Sequence, residues 1–379
     1  MKLKKWIAIA VMAGLLGTAG CTPAAQDSGT PSASGSGAAD GSAAGSSASS
    51  AANTEKYPSL EVLDVNEYKT ATKASDLFPD DINVSGTKPD GSKWKIAWLC
   101  PDMADESNAY QTKLSREVAE RYGFELIEFD AQSDPQKQTD HVNQAITQGC
   151  DAIAISPVDA NALIESMKAA RQKGMLVVDC QQPVTDPEAY DVYCGPNDTL
   201  AGQQSASALT QLLPDGGKVV VIEGFPGSAA QINRDAGFLG VIQNLSQFEV
   251  LEVQSANWST ADAMNIMESY MSKYKEIDAV FGHFDLATLA AIQAAQNVGR
   301  ADDIIFVSVD GTQGALDEIA KGGCFKMTSM QDFKLNTDVQ YMAALAHLNG
   351  EGDRFDKMCY TYNVIIEQDN AKDFEAGWG

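Results

Sequence analysis

The stretch GCDAIAISPVD, residues 149–159, contains a local pattern that points to one fold class. Gly149 follows an amphipathic segment, and glycine ends a helix at low cost because it tolerates the left-handed backbone conformation. Residues 152–156 then form an apolar run without polar alternation, which is typical of a strand covered on both faces. The stretch therefore predicts a helix end, a buried strand and a polar loop, in that order.

The same pattern recurs from Trp94 to the end of the sequence. Apolar runs predict strands at residues 95–100, 124–130, 152–156, 175–179, 191–194, 218–223, 249–253, 278–282, 304–309 and 324–329. Amphipathic stretches lie between them, and several end at a glycine: Gly123, Gly149, Gly174 and Gly299. This alternation predicts an α/β fold with parallel sheets and right-handed crossovers. Because the folded part is long for one sheet, we expect two lobes that face each other across a cleft.

Composition excludes several classes of protein. Of 379 residues, 44% are hydrophobic, which is enough for a core and excludes a wholly disordered chain. With 52 acidic and 27 basic residues, the net charge of −25 is opposite to that of a nucleic-acid binder or a protein that binds anionic lipid head groups. Three histidines and seven cysteines are scattered along the chain, so we expect no metal site and no cofactor.

The N-terminus has the pattern of an export signal. Three lysines precede an uncharged apolar run over residues 6–20, which is too short to span a bilayer but suits a signal peptide. The run ends in TAGC, residues 18–21, which resembles a bacterial lipobox although leucine is commoner than Thr18 at its position. We therefore expect residues 1–20 to be removed and Cys21 to be lipidated. An ordinary signal peptide cut near Ala19 is the alternative.

The segment after Cys21 has the composition of a flexible tether. Residues 22–53 are mostly glycine, alanine and serine, without an aromatic side chain, and such a segment buries too little apolar surface to offset its ordering entropy. We therefore interpret residues 21–53 as a tether. Residues 54–93 carry scattered apolar side chains, and we expect a partly ordered extension with no identifiable role.

The other cysteines lie mostly in apolar strand contexts, where a free thiol behaves as a small hydrophobic side chain. We expect mostly free thiols. Cys180 and Cys194 stand at the ends of consecutive predicted strands, so they are the one pair to test for a disulfide.

Polar and aromatic side chains follow the predicted strands, at the edge where open parallel sheets bind ligands. Carboxylates accept hydrogens from hydroxyl groups, the arginine fork donates, amides do both, and an aromatic face covers the C–H patch of a sugar ring. This set suits a small neutral ligand rich in hydroxyl groups. The candidate ligand-binding residues are Asp105, Asn108, Asp179, Arg234, Trp258, Phe284, Asp285, Asp310 and Gln331.

From about Lys95 onward the chain resembles the type I periplasmic sugar-binding proteins, and among them the ribose-binding type. The resemblance is carried by residues 149–159, by VVD at 177–179, by NRDAGF at 233–238 and by IIFVSVDG at 304–311. It implies two Rossmann-like lobes, joined by a hinge of three chain crossings that closes on the ligand. The implied N-terminal lobe comprises residues 94–197 and 333–362, and the implied C-terminal lobe comprises residues 198–332 and 363–379.

The resemblance also implies roles for individual residues. The family's ligand-binding positions fall on Asp105 and Asn108 in the first loop, and on Asp179, Arg234, Trp258, Asp310 and Gln331 further along. Four positions depart from the ribose type: Ser107 and Asn108 stand near the place of two phenylalanines, Cys180 replaces an arginine, and Phe284 replaces an asparagine. Trp258 and Phe284 could then form the ring sandwich. These departures leave open another monosaccharide, an inositol or polyol, or a furanose-like signal molecule.

The resemblance implies a monomeric solute receptor that docks on the permease of an ABC importer. We expect it to be tethered by a lipid on the outer face of the bacterial cytoplasmic membrane, or to be periplasmic. A sensor that presents its ligand to a membrane receptor is one alternative. A glycosidase that uses Asp179, Asp285 and Asp310 is another, although the sequence lacks the common catalytic motifs. We expect a binding protein and not an enzyme, and we expect His283 to be a packed residue rather than a ligand contact.

Overall fold

The computed structural model describes residues 57–378. The predicted signal peptide, the lipidation site at Cys21 and the tether lie outside the described residues. In the described part, no helix is both long enough and apolar enough to cross a membrane.

The described residues form two lobes, each built on one sheet. The strands are β1 (Lys95–Cys100), β2 (Glu125–Asp130), β3 (Ala152–Ile155), β4 (Leu176–Cys180), β5 (Val192–Gly195), β6 (Gly217–Glu223), β7 (Phe248–Ser255), β8 (Ala279–Gly282), β9 (Ile305–Asp310), β10 (Phe325–Met330), β11 (Met358–Tyr360) and β12 (Val364–Ile366). The predicted strands therefore agree with the observed ones to within one or two residues at each end. The two short strands β11 and β12 were not predicted.

Helices connect the strands. They are α1 (Ala74–Leu77), α2 (Glu106–Tyr122), α3 (Pro135–Thr147), α4 (Ile164–Gln172), α5 (Asp198–Leu212), α6 (Ala229–Ile242), α7 (Thr260–Lys273), α8 (Asp285–Asn297), α9 (Gln313–Ala320) and α10 (Phe333–Leu348). Short 3-10 helices cover Val65–Tyr68, Pro187–Ala189, Ala301–Asp303 and Gly352–Arg354. Gly123 closes α2 with a φ of 82°, as its place before a strand predicts.

The sheet order confirms an α/β fold with mostly parallel sheets. The first lobe has the order β11-β5-β4-β3-β1-β2, and the second has the order β12-β10-β9-β8-β6-β7. Neighbouring strands pair in parallel except β12, which pairs with β10 in the antiparallel sense. The chain passes between the sheets after β5, after β10, and between β11 and β12, which makes three crossings.

Both faces of each sheet are buried, which explains the continuous apolar runs. Along β1, Ile96 and Trp98 pack in one cluster, whereas Ala97 and Leu99 pack in another cluster on the opposite face. In β6, residues 220 and 222 likewise pack in one cluster, whereas residues 219 and 221 pack in another cluster on the opposite face. Successive strand side chains point to opposite faces, so each strand contributes to two cores at once.

Residues 57–93 are packed on both lobes. Val65 is buried in a core cluster of the second lobe, and the backbone N–H of Leu60 donates to the carbonyl of Gly240 in α6. Further along, Phe78 is buried in a core cluster of the first lobe, with its ring 4.8 Å from that of Phe355. The segment therefore passes from one lobe to the other and contacts both, a role that its scattered apolar side chains did not predict.

The six cysteines that the structure describes are free thiols, as predicted. Cys180 and Cys194 are register partners on the neighbouring strands β4 and β5, yet they form no disulfide. Burial raises the pKa of both thiols well above its ordinary value, so both remain protonated.

Candidate functional site

The carboxyl ends of the two sheets face a cleft of about 270 Å³, slightly below the range of about 300–1,000 Å³ that is usual for ligand pockets. Loops and helices of both lobes contribute to its wall. The lining residues are Ala104, Asp105, Glu106, Ser107, Asn108, Gln111, Ser156, Gln181, Gln182, Asp198, Ala230, Arg234, Trp258, Thr260, Phe284, Leu286, Asp310, Gln331, Phe333 and Trp378.

The structure brings seven of the nine candidate residues together in this cleft. The two that do not line it are Asp179 and Asp285. The seven residues come together because parallel strands carry their carboxyl ends, and the loops after them, to one edge of the sheet. The seven residues are Asp105, Asn108, Arg234, Trp258, Phe284, Asp310 and Gln331.

Arg234 is the central positive charge of the cleft. Its side chain lies in α6 and is buried, and Nε donates a hydrogen bond of 2.8 Å to the carboxylate of Asp198. Nη1 lies 3.6 Å from the carboxylate of Asp310 and also donates to the carbonyl of His283. Burial alone would lower the pKa of Arg234, but the two carboxylates outweigh it and raise that pKa, so the guanidinium stays charged.

Asp310 ends β9 with an unusual backbone conformation. Its φ is 133°, which an L-residue rarely adopts and which costs about 1–3 kcal/mol. The Nε2 of Gln331 donates to the Asp310 carboxylate at 3.3 Å. Burial raises the pKa of Asp310 well above its ordinary value, although the charge of Arg234 opposes the rise. Backbone strain of this kind persists only where the surrounding structure enforces it, and it clusters at functional sites.

Trp258 and Phe284 form an aromatic corner rather than a sandwich. The ring centroids are 5.3 Å apart with an angle of 71° between the planes, so no sugar ring fits between them and the predicted sandwich is wrong. The guanidinium carbon of Arg234 lies 5.6 Å from the centroid of the Trp258 ring. Gly224 makes room for this indole, because a Cβ at that position would lie 2.1 Å from Cη2 of Trp258.

The first loop brings Asp105 and Asn108 to the wall of the cleft. The carboxylate of Asp105 accepts the backbone N–H of Asn108 at 3.0 Å, and it thereby caps the N-terminus of α2. Asp105 therefore serves the helix and lines the cleft at the same time.

Asp179 lies behind the wall of the cleft. It is fully buried, and one carboxylate oxygen accepts the backbone N–H of Val184 at 2.8 Å, whereas the other oxygen has no hydrogen-bond partner within residues 57–378. Burial raises the pKa of Asp179 well above its ordinary value.

Asp285 holds the turn that follows β9. Its carboxylate accepts the backbone N–H groups of Gly311 at 2.7 Å and Thr312 at 2.8 Å, and also the hydroxyl of Thr328. Burial raises the pKa of Asp285 to about 6. Since Asp310 immediately precedes this turn, Asp285 positions it. Of the three carboxylates proposed for a glycosidase, only Asp310 lines the cleft.

His283 is a packed residue, as expected. Its ring is fully buried, with Nε2 placed 3.1 Å from the carboxylate of Asp235, and burial lowers the pKa of His283 to about 3. The described residues contain no group of three or more histidine, cysteine or acidic side chains that could hold a metal ion.

Several lining residues were missed. Asp198 and Gln181 lie just beyond β5 and β4, so the rule that found the other candidates could have found them. Gln111 lies three residues after Asn108 on α2, which places both on one helix face. Trp378 carried no such signal, because it reaches the cleft through a bridge to Thr312.

Comparison with known proteins places this architecture in a family. The model of a periplasmic binding protein domain matches residues 96–352. The ribose import binding protein of Bacillus subtilis (strain 168) is 31% identical over 201 residues, which are 53% of this chain and 64% of that protein. A xylitol-binding protein of Mycolicibacterium smegmatis is 30% identical over 240 residues, 63% of this chain and 68% of that protein. This chain thus spans roughly two thirds of the length of both relatives.

A solved structure shows the same two-lobe fold. An ABC transporter solute binding protein from Bacillus halodurans, crystallised with bound myo-inositol, superposes with a TM-score of 0.70 at 25% identity. The match covers 78% of this chain and 99% of that one. The chain therefore belongs to the periplasmic binding protein domain family, whose members are binding proteins rather than enzymes.

Proposed function

We propose that this protein is the solute-binding component of an ABC importer, and that it binds a monosaccharide or a related polyol in the cleft between its lobes. The observation that carries the proposal is the cleft itself. In it the carboxylate of Asp310 pairs with the guanidinium of Arg234 at 3.6 Å and accepts a hydrogen bond from Gln331, and the ring of Trp258 lies beside Arg234. The relatives whose names mention ribose and xylitol, and the structure with bound myo-inositol, support the same ligand class.

The candidate residues divide by the part of the ligand that they would contact. Arg234 and Asp310 suit hydroxyl groups, because a guanidinium donates and a carboxylate accepts. Trp258 and Phe284 offer apolar ring surface, while Asp105, Asn108 and Gln331 supply further polar atoms. Asp285 acts through the turn that it holds. The ligand affinity of Asp179→Asn tests whether Asp179 binds the ligand directly: weaker binding than in the parent would support a direct contact, and parent affinity would contradict it.

Closure about the hinge would follow from binding. Because both lobes contribute polar groups to the cleft, a ligand makes all its hydrogen bonds only when the lobes approach each other. The ligand then binds the closed form more tightly than the open form and shifts the population between them. The closed form would dock on the importer's permease. A sensor role is not favoured, since several of the similar proteins are named as import binding proteins for ribose or fructose.

The membrane partner and the anchor belong to the same proposal. The homologues act outside the cytoplasm, and the sequence TAGC at residues 18–21 supports lipidation of Cys21, which would tether a monomeric receptor near its permease. Expression of Cys21→Ala and of the unchanged chain, followed by membrane fractionation, tests the anchor. Equal membrane association of the two proteins would contradict lipidation at Cys21.

A thermal-shift screen with pentoses, hexoses, polyols, inositols and nucleosides tests the ligand class. A ligand at 100 times its Kd stabilises the folded protein by about 2.7 kcal/mol, which corresponds to a Tm increase of a few degrees. We expect a hit among the sugars or polyols, recovered unchanged after incubation. A ligand consumed during incubation would point to catalysis, and a panel without any hit would contradict the proposed ligand class.

A further inference from the structure

Buried polar atoms without hydrogen-bond partners are concentrated around the cleft. Among the side chains of residues 57–378, five such atoms belong to residues of the cleft wall: Oε1 of Gln111, Oγ of Ser156, Nε2 of Gln181, Oε1 of Gln182 and Nε1 of Trp378. A buried donor or acceptor without a partner costs about 1–3 kcal/mol, and folded proteins contain few of them. Their concentration at one site therefore needs a physical reason.

Two of the glutamines are held rigidly by α10. Nε2 of Gln111 donates to Oε1 of Gln340 at 3.0 Å, and the Gln111 side chain is fully buried. Oε1 of Gln181 accepts from Nδ2 of Asn336 at 3.3 Å. In each case α10 fixes one end of the amide, while the other end has no hydrogen-bond partner among residues 57–378, and both residues line the cleft.

Backbone geometry adds a second observation at Gln181. Its φ is 61°, so a residue with a side chain adopts a conformation that favours glycine. Trp258 and Asp310, which also line the cleft, have φ values of 60° and 133°. Three of the six non-glycine residues with positive φ in the described part of the chain thus belong to this one site. Strain of this kind clusters at functional sites.

Trp378 is fixed by the backbone that precedes it. The N–H of Gly377 donates to the carbonyl of Gly311 at 2.9 Å, and a Cβ on Gly377 would lie only 1.9 Å from the carbonyl oxygen of Gln331. The indole packs against Phe333, with 6.0 Å between the ring centroids. Although the ring is buried, its N–H has no hydrogen-bond partner among the residues that the structure describes.

We propose that Gln111, Gln181 and Trp378 are specificity-determining ligand contacts that recognise an uncharged, hydroxyl-bearing face of the ligand. This inference rests on the proposed function and specifies its ligand class. The group offers an acceptor on Gln111 and donors on Gln181 and Trp378. A hydroxyl group both donates and accepts, so neighbouring hydroxyls on one ring can pair with all three residues.

Charged groups fit this part of the cleft poorly. A carboxylate has no hydrogen to give the acceptor of Gln111, and a phosphate offers fewer hydrogens than neighbouring hydroxyl groups do. An ammonium group has no lone pair for the donors of Gln181 and Trp378. The cleft should therefore prefer a neutral sugar or polyol to its uronate, phosphate and amine derivatives.

Trp378→Phe tests the inference because it removes the unpartnered N–H and keeps an aromatic ring. We expect the Tm of the free protein to stay within a degree of that of the parent or to rise. We expect the Kd for the best panel ligand to increase about 5- to 150-fold, as the loss of one buried hydrogen bond implies. The double variant Gln111→Leu/Gln340→Leu removes the amide pair as a unit, and we expect the same loss of affinity.

Trp94→Phe is the matched control, since the Trp94 indole donates to Asn349 at 3.3 Å outside the cleft. Its Kd should equal that of the parent. Parent affinity in both Trp378→Phe and the double variant would overturn the inference and leave the proposed function intact. A fall in Tm that accounts for the whole loss of affinity would also overturn it. If the parent protein binds no sugar or polyol, the proposed function itself fails.

Ligand derivatives give an independent readout on the parent protein. Isothermal titration with the best sugar and with its uronate, phosphate and amine derivatives compares the charge classes directly. We expect at least tenfold weaker binding of each charged derivative. Equal or tighter binding of any one of them would contradict the preference for an uncharged face.

Discussion

Asp310 combines backbone strain, burial and a charged partner in a single residue. Its carboxylate accepts from Gln331 at 3.3 Å and lies 3.6 Å from Nη1 of Arg234. A cap for the following helix would explain none of these features, and in fact the side chain of Thr312 caps α9. The sequence predicted the position of Asp310 at the end of a strand. Its positive φ and its pairing with Arg234 depend on tertiary contacts, which the sequence does not show.

We therefore predict that Asp310→Asn weakens ligand binding about 10- to 150-fold, because hydrogen bonds to charged groups contribute about 1.5–3 kcal/mol. Asparagine keeps the shape and tolerates positive φ better than most residues. The free protein should therefore unfold within a few degrees of the parent. Isothermal titration and thermal denaturation measure both quantities. Parent affinity in this variant would remove Asp310 from the binding residues.

Asp179 leads to a prediction about pH. Burial raises the pKa of Asp179 above its ordinary value of 3.8. As the pH rises from 3.8 to the folded-state pKa, ionisation of Asp179 lowers the free energy of unfolding, and this loss is complete above the folded-state pKa. Asp179→Asn removes the charge and keeps an acceptor for the N–H of Val184. We predict a higher free energy of unfolding for the variant at pH 8, with the gain shrinking towards pH 4. Urea denaturation of both proteins at the two pH values measures this, and a pH-independent difference would contradict it.

At the scale of elements, the sequence predicted those units whose signal is local. Runs that are mostly apolar located β1 to β10, because a strand covered on both faces carries few polar side chains. The strands β11 and β12 have only three residues each, which is too short for a periodicity to emerge. The antiparallel pairing of β12 with β10 depends on the third crossing of the chain between the lobes, and no local sequence pattern predicts that crossing.

The candidate site follows the same division. Gln331 directly after β10 and Arg234 in the helix after β6 were found because the segments that follow parallel strands lie at one edge of the sheet. Asp179 and Asp285 obey the same rule in sequence, but each carboxylate is drawn into hydrogen bonds with backbone N–H groups behind the wall. Conversely, Trp378 lies far from any strand and reaches the cleft only through its pairing with Thr312.

The end of β6 and the loop after β7 are fitted to each other at Gly224. Since a Cβ there would overlap the Trp258 ring at 2.1 Å, Gly224→Ala should displace the indole. We predict weaker ligand binding, by tenfold or more, and a changed fluorescence spectrum. Gly323→Ala is the matched control in the same lobe, because the nearest atom to its Cβ would be 3.9 Å away. Unchanged affinity in Gly224→Ala would show that the position of Trp258 is not important for binding.

For the whole molecule, residues 57–78 add a connection between the lobes beside the three crossings. Val65 is buried in the second lobe, and Phe78 is buried in the first. Between them, Lys69 forms ion pairs with Glu367 at 2.7 Å and Asp369 at 3.0 Å. The hydroxyl of Thr72 accepts the N–H of Tyr362, which lies in the third crossing itself. Movement of one lobe relative to the other must therefore bend this segment together with the hinge.

We predict that a chain beginning at residue 74 samples a wider range of lobe separations than a chain beginning at residue 57. The shorter chain loses the buried contacts of Val65, and burial of a valine side chain contributes about 1.5–3 kcal/mol, so its Tm should fall by several degrees. Spin labels on exposed positions of the two lobes, read as distance distributions without ligand, measure the separation directly. The chain beginning at residue 57 is the control, since it lacks only the residues that precede the packed segment. Identical distance distributions in the two proteins would mean that the three crossings alone set the opening of the cleft, and that residues 57–78 stabilise the lobes without restraining their motion.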